Sequence, residues 1–231
     1  MQSYNMEHFK KAAKDAEKSM RSVFERTPLQ KNEHLSKIYG TEIWLKREDL
    51  SPVRSYKLRG AFNAMRKLEN NQLIVAASAG NHAQAVAYMC KHFGVKGSIF
   101  MPVTTPKQKI QKTEMFGGDA IQIQLVGDYF DDCMKAAQDF CTKNDGYFLS
   151  PFDNENIIEG QASVAVEIEA QLGFCPNHII MPVGGGGLSA GVLRYFEDNA
   201  QYTLVEPMGG ASLRAALIAG KPVPLEKVDT F

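Results

Sequence analysis

Short apolar runs without charge alternate along this chain with stretches of helical periodicity, and this alternation limits the possible folds more than any other feature. Residues 73–77 (LIVAA) are uncharged and too few for a helix, which is typical of a strand buried on both faces. A helical pattern follows from about residue 83, and the unit recurs at 98–116, 121–143 and 179–196. Strands alternating with helices predict an α/β fold whose parallel sheet is covered by helices.

The composition excludes several classes of partner. The 231 residues carry 26 Lys plus Arg against 26 Asp plus Glu, so no overall field favours nucleic acid or an anionic membrane. We therefore expect neither as a partner, and any anion site must be local. The four cysteines show no metal-ligand spacing and no secretory signal precedes them, so we expect reduced thiols, no metal and a cytoplasmic protein.

Lys57 is the candidate nucleophile. It lies in the segment SYKLRGA (residues 55–61), where an extended run gives way to a helical pattern. The first turn of a helix, with Arg54 and Arg59 close in sequence, disfavours the ammonium form, so part of Lys57 is expected as free amine near neutral pH. A free amine can attack a carbonyl carbon. Alone, however, the segment fits a solvated lysine better, because exposed lysines are common.

Two strand-to-helix turns are candidate anion sites. Small residues at the start of a helix leave backbone amides unpaired, which suits a carboxylate at the first turn, although an ordinary capped turn is the commoner arrangement. Four consecutive glycines in the second turn are costly in backbone entropy unless the main chain must approach a ligand, which suits a phosphate. The first turn consists of Ser78, Ala79, Gly80, Asn81 and His82, and the second of Gly184, Gly185, Gly186, Gly187 and Leu188.

Two further details narrow the chemistry of these turns. Ser189 stands where a dinucleotide fingerprint has glycine or alanine, and no Lys-Ser/Thr pair of a P-loop follows the glycines. Both nucleotide motifs are therefore excluded. His82 could act as a base, but a structural imidazole is the more common case because no acidic residue in the turn would orient it.

A lysine amine, a carboxylate site and a phosphate site are the set that pyridoxal 5'-phosphate and an amino acid substrate require. The segments that carry the set resemble those of the threonine dehydratases (threonine deaminases), which belong to the tryptophan-synthase-β-like, or fold type II, family of pyridoxal-phosphate enzymes. The resemblance runs from about residue 27 to 231. Its segments are KREDL (46–50), VRSYKLRGA (53–61), SAGNHAQ (78–84), FMPVTTP (100–106) and GGGGL (184–188).

The resemblance implies a two-domain parallel-sheet fold with the cofactor between the domains. Residues 1–78 and 152–231 would form the large domain that binds the cofactor, and residues 79–151 a small α/β domain. The family's core continues beyond the segment that ends at Phe231, so we expect either a partial view of a longer chain or a protein that lacks the C-terminal part of this core, with the partner of the pyridine nitrogen. The resemblance also implies a homo-oligomer.

The resemblance assigns a role to each candidate residue. Lys57 would hold the cofactor through a Schiff base and take the α-proton of the substrate. Asn81 would bond the ring oxygen of the cofactor. Residues 78–82 would bind the substrate carboxylate, and the amides of residues 184–188 would bind the phosphate.

The implied activity is deamination of L-threonine to 2-oxobutanoate and ammonia, the first step of isoleucine biosynthesis, with L-serine as a weaker substrate. A serine racemase or serine dehydratase of the same family remains an alternative. A truncated protein that keeps the fold and binds the cofactor without turnover is another. Sequence does not settle threonine against serine, because one methyl group in a pocket is worth only about 1–3 kcal/mol.

Overall fold

A computed structural model describes residues 6–69, 72–225 and 228–229, in which helices and strands alternate. Its helices are α1 (Met6–Ser19), α2 (Glu33–Tyr39), α3 (Lys57–Met65), α4 (Asn81–Phe93), α5 (Lys107–Gly117), α6 (Phe130–Lys143), α7 (Glu155–Leu172), α8 (Gly187–Phe196) and α9 (Ser212–Ala219). Its strands are β1 (Leu29–Lys31), β2 (Trp44–Lys46), β3 (Ile74–Ala77), β4 (Gly97–Met101), β5 (Ile121–Leu125), β6 (Tyr147–Phe148), β7 (His178–Pro182) and β8 (Gln201–Val205).

A four-stranded parallel sheet in the order β5-β4-β3-β6 forms the centre of one half of the molecule. Every residue of β3 and β4 is buried, as the uncharged sequence of β3 predicted. Helices α4 and α5 pack on one another, and α6 packs on β3 and β4. The predicted α/β class with a parallel sheet is therefore confirmed.

Two smaller sheets complete the described strands. β7 and β8 pair in parallel, whereas β1 and β2 form an antiparallel pair in which Leu29 lies opposite Lys46. Strand β1 was not expected from the sequence. It is three residues long, and its extended form is set by pairing with β2 rather than by a local pattern.

Helix α7 is the central helix of the other half, and glycines let its neighbours approach closely. It packs against α1, α3 and α8. A Cβ atom added to Gly160 would lie 2.6 Å from the carbonyl oxygen of Arg59 and 2.7 Å from Cα of Gly60. Helices α3 and α7 therefore cross with their backbones nearly in contact, which fixes the position of α3 and of the lysine at its start.

The predicted division at residues 78 and 151 stays a prediction. The sheet that contains β3 begins before residue 78, because Ile74 pairs with both Gly97 and Tyr147. Residues 1–5 and 230–231, at the ends of the predicted large domain, lie outside the described part of the chain. No helix in that described part is long and apolar enough to cross a membrane.

Candidate active site

Lys57 is the first residue of α3, and two serines hold the turn that leads to it. Ser51 Oγ accepts a hydrogen bond from the Ser55 amide at 2.9 Å and donates to the Ser55 carbonyl at 3.0 Å. Ser55 Oγ in turn accepts from the Lys57 amide at 3.2 Å. Between the serines, Arg54 takes a left-handed φ of 57°, which is unusual for a residue with a side chain. The turn is thus built to present Lys57 in one orientation.

Lys57 is half-buried and has no carboxylate partner among the residues that the structure describes. Its Nζ donates a hydrogen bond to the carbonyl of Pro151 at 2.5 Å. Burial lowers the pKa of Lys57 to about 8. In about a tenth of the molecules Lys57 is therefore a free amine at pH 7, in line with the expected reactivity.

The cause of this lowered pKa differs from the one expected from the sequence. Arg54 and Arg59 were expected to disfavour the ammonium form, but burial of Lys57 is the cause that the structure identifies. The guanidinium of Arg59 is fully buried and bonds to the carboxylates of Glu48 and Glu167. Its charge is neutralised there, so it does not act on Lys57 as a free cation.

The first predicted turn lies between β3 and α4 and carries amides at the helix start. The Ser78 amide donates to the carbonyl of Phe100 at 3.0 Å, and Ser78 Oγ accepts from the Gly80 amide at 3.2 Å. Asn81 is exposed as the first residue of α4. The first hydrogen bond of this helix runs from the Gln84 amide to the Gly80 carbonyl, which leaves the amides of residues 81–83 available to an anion.

His82 points away from solvent and into the protein. Its Nε2 lies 2.9 Å from the carbonyl oxygen of Leu149. Since a carbonyl can only accept, Nε2 carries the hydrogen. Burial lowers the pKa of His82 to about 4. The imidazole is therefore neutral at physiological pH, which fits a structural residue better than a base.

The second predicted turn, at residues 184–188, is an open loop at the start of α8. Gly186 has a φ of 86°, and the first hydrogen bond of the helix runs from the Ala190 amide to the Gly186 carbonyl. Across the described residues, the amides of 184–188 donate no backbone hydrogen bond to another segment. A Cβ atom at Gly184 or Gly186 would have no atom within 4 Å. The loop thus has open space at Gly184 and Gly186 and amides without a backbone acceptor, which suits a phosphate site.

A segment that the sequence did not single out connects these three features. Residues 149–152 (LSPF), here called the 149–152 segment, follow β6 directly. His82 bonds to its first residue and Lys57 to its third, as described above. Its fourth residue, Phe152, packs on the glycine loop, where a Cβ atom at Gly187 would lie 3.1 Å from the Phe152 backbone. The amine, the first turn and the glycine loop therefore border one segment, although they are distant in sequence.

The residues present fit pyridoxal phosphate. The cofactor needs an amine for its aldehyde and donors for its phosphate. Lys57 offers a half-buried amine that forms no ion pair with any residue the structure describes, and the glycine loop offers amides without a backbone acceptor. A side chain at Gly186 would also be strained by the left-handed φ, so the loop requires glycine there.

Sequence comparison agrees with this geometry. A family model described as "Pyridoxal-phosphate dependent enzyme" matches residues 20–231. The chain belongs to this family. Pyridoxal phosphate is accordingly its cofactor.

Individual relatives narrow the resemblance. The chain is 47% identical over 225 residues to "L-threonine dehydratase biosynthetic IlvA" of Corynebacterium glutamicum, covering 94% of this chain and 52% of that protein. It is 45% identical over 222 residues to the Bacillus subtilis protein of that name, covering 94% of this chain and 53% of the relative. The chain thus spans about half the length of the curated relatives it matches.

A solved structure confirms the fold. The processed form of threonine deaminase isoform 2 from Solanum lycopersicum superposes with a TM-score of 0.91 at 36% identity, covering 100% of this chain and 64% of that one. The predicted fold of the tryptophan-synthase-β-like pyridoxal-phosphate enzymes is therefore confirmed. The expected resemblance to threonine dehydratases is confirmed as well.

Proposed function

We propose that this chain carries the cofactor lysine of a threonine dehydratase, an enzyme that deaminates L-threonine to 2-oxobutanoate and ammonia. The observation that carries the proposal is the half-buried Lys57 amine, which contacts the same 149–152 segment as the glycine loop. The names of the relatives support threonine as the substrate. L-Serine is proposed as a weaker substrate.

Each part of the site has one task in this proposal. The amine of Lys57 would hold pyridoxal phosphate covalently at its aldehyde carbon, with the aldehyde oxygen released as water, and partial burial helps because it increases the fraction of free amine. The amides of residues 184–188 bind the phosphate, and the helix dipole of α8 adds to their effect. Residues 78–82 would bind the substrate carboxylate, and Asn81 would hydrogen-bond the ring oxygen of the cofactor. When bound, pyridoxal phosphate serves as the electron sink of the reaction.

Lys57 is also the proposed base that removes the α-proton. A general base works best when its pKa is near the operating pH, and the pKa of about 8 meets this condition. His82 does not, because a pKa of about 4 makes it a weak base at pH 7. The Pro151 carbonyl directs the amine, which limits the orientations from which Lys57 can act.

Borohydride trapping tests the assignment of Lys57. Protein incubated with pyridoxal phosphate should show a visible absorption band, and reduction should leave a pyridoxyl group on Lys57 in a peptide map. Lys57→Ala should lose both signals. Lys91→Ala is the matched control, because Lys91 is exposed on α4. A pyridoxyl group on another lysine, or none at all, would contradict the proposal.

Product analysis tests the reaction itself. Native protein should release ammonia and 2-oxobutanoate from L-threonine, and it should act more slowly on L-serine. Formation of D-serine would indicate a serine racemase instead, and cofactor binding without any product would indicate a binding protein. Homo-oligomerisation and a cytoplasmic location belong to the proposal too, and light scattering and cell fractionation test them.

A further inference from the structure

The backbone of Leu149 is held at both of its polar groups. Its amide donates to the carbonyl of Val75 in β3 at 2.8 Å, and its carbonyl accepts from His82 Nε2 at 2.9 Å. Leu149 itself is fully buried. The sheet therefore fixes one side of this residue, and a single imidazole on α4 fixes the other.

The chain after Leu149 leaves little freedom before it reaches Lys57. Ser150 Oγ accepts from the Asp153 amide at 3.1 Å, which closes a tight turn. Pro151 inside this turn has a restricted φ and no amide hydrogen. Its carbonyl is the acceptor of Lys57 Nζ at 2.5 Å. The direction of that carbonyl thus depends on how Leu149, two residues earlier, is anchored.

We propose that His82 is a positioning residue for Lys57 and acts through the 149–152 segment. By donating to the Leu149 carbonyl, the imidazole holds the Pro151 carbonyl where it accepts the lysine amine. His82 need not contact cofactor or substrate to do so. The inference rests on the proposed role of Lys57 and adds the residue that sets the direction of its amine.

The groups around Lys57 determine whether its pKa should rise or fall when the Pro151 carbonyl is misplaced. The titratable side chains that face it are His82, on α4, and Tyr56, whose ring centroid lies 5.6 Å from Nζ. Lys57 has no ion pair within the described ranges, so its ammonium form is stabilised by the Pro151 carbonyl and by the face of the Tyr56 ring. Loss of that acceptor favours the free amine, and the pKa of Lys57 should then fall further.

The test measures the reactivity of Lys57 in cofactor-free protein. Competitive acetylation at several pH values, followed by peptide mass spectrometry, gives the labelling midpoint of Lys57. His82→Leu keeps the bulk but removes the donor, and we expect its midpoint to fall by about one pH unit, the loss of one hydrogen bond to a charged group. His82→Gln keeps an N–H donor and should largely restore the midpoint. His92→Gln, at an exposed position of the same helix, is the control.

Two results would overturn the proposal. One is a folded His82→Leu protein, by circular dichroism, whose Lys57 midpoint is unchanged. The other is an equal shift in His82→Gln and His82→Leu, which would show that packing rather than the hydrogen bond matters. Neither result bears on pyridoxyl labelling of Lys57, so failure here is distinguishable from failure of the proposed function.

A measurement on unaltered protein decides the question if His82→Leu does not fold. Nitrogen NMR of protein with 15N-labelled histidine should show a neutral His82 ring with its proton on Nε2 from pH 5.5 to 8. A proton on Nδ1, or titration of His82 within this range, would mean that the ring does not hold the Leu149 carbonyl and would reject the proposal.

Discussion

Lys57 and Arg59 stand two residues apart at the start of α3, one half-buried and the other fully buried, yet their charges are handled in opposite ways. Lys57 meets one backbone carbonyl, and burial lowers its pKa to about 8. Arg59 meets two carboxylates. Burial alone would lower its pKa as well, but the charges and hydrogen bonds of Glu48 and Glu167 outweigh burial and raise it.

The partners of Arg59 form a dense buried network. Its guanidinium donates to Glu48 at 2.7 and 2.8 Å and to Glu167 at 2.8 and 2.9 Å. Lys46 Nζ also bonds to Glu167, at 2.6 Å, and Ser163 Oγ accepts from Arg59 at 3.0 Å. The network ties α3 to α7 and to the segment after β2.

The difference shows how one helix can serve catalysis and stability at once. A buried cation with carboxylate partners is locked in its charged form and becomes a structural link. A buried cation without them is partly deprotonated and can react. We call Lys57 with its acceptor Pro151 the lysine side of α3, and Arg59 with Glu48 and Glu167 the arginine side. The two sides should therefore respond differently to substitution.

The largest contrast should come from replacing each cation with methionine. Arg59→Met leaves Glu167, which is fully buried, without its main partner, and should cost about 3–5 kcal/mol of unfolding free energy. Lys57→Met removes only a poorly solvated amine and should change stability by less than about 1.5 kcal/mol. Urea unfolding followed by circular dichroism measures both values.

Arg59→Lys keeps the contrast measurable if Arg59→Met does not fold. It retains the charge but cannot reach both carboxylates with a planar fork, so it should be of intermediate stability. Equal losses for Arg59→Met and Lys57→Met would remove the distinction between the two sides of α3.

Acid should weaken the arginine side in a defined pH window. Burial alone would raise the pKa of Glu167, but Arg59 and Lys46 outweigh it and hold the pKa at about 2, below the ordinary 4.5. The unfolded state binds more protons between these values, so this stabilisation is present above pH 4.5 and is lost as the pH falls towards 2. It amounts to roughly 3 kcal/mol at most.

Glu167→Gln provides the measurement. Wild type should exceed this variant in stability at pH 6, and the difference should shrink towards pH 2.5. The matched control is Glu114→Gln, at an exposed position on α5. A difference that stays constant with pH would show that Glu167 contributes by shape rather than by charge.

Stability should also rise with pH because of Lys57, but in an alkaline pH window. The pKa of Lys57 is about 8 in the folded protein against an ordinary 10.5. The unfolded state binds more protons between these values, so folding becomes easier as the pH rises from about 8 to 10.5. Wild type should therefore gain up to roughly 3 kcal/mol relative to Lys57→Met over this range. Lys91→Met, at an exposed position, should show no such gain.

Local patterns were sufficient for part of this molecule. The uncharged run of β3, the lysine at the first turn of α3 and the glycines before α8 are set by residues within a few positions, and each was predicted correctly. The hypothesis of an amine beside two anion sites was also drawn from residue types, and it stays a prediction. Such features are readable because propensity and periodicity act over short distances.

Pairings between distant residues could not be read in the same way. Arg59 was expected to disfavour the ammonium form of Lys57, but it is paired with Glu167, which lies 108 residues away. The Pro151 carbonyl lies 94 residues from Lys57, and no local pattern shows that it will turn towards an amine. Ser150 and Pro151 do signal a turn after β6, which is the one clue that the segment held. The packing of α3 and α4 determines which groups the 149–152 segment contacts.

The smallest expected effects come from two glycine-to-alanine substitutions. One is in α7, next to the arginine side of α3, and the other is in the glycine loop. Gly160→Ala places a methyl group 2.6 Å from the Arg59 carbonyl, where backbone must move, and should cost about 1–3 kcal/mol of stability. Gly184→Ala has no atom within 4 Å of the new methyl group and should change stability by less than about 0.5 kcal/mol. The methyl group would stand in the open space of the glycine loop. Titration of the visible band should then show pyridoxal phosphate binding weakened about tenfold, as expected when one phosphate hydrogen bond is lost.

These two alanines separate packing from ligand binding within one protein. Gly160→Ala should lower stability while the Kd for pyridoxal phosphate stays close to wild type under conditions where the variant is folded. Gly184→Ala should do the reverse. If Gly184→Ala instead binds the cofactor normally, the amides of the glycine loop are not close to the phosphate. The lysine side of α3 would then hold the cofactor through Lys57 and the turn before α4, and the open loop would need another explanation.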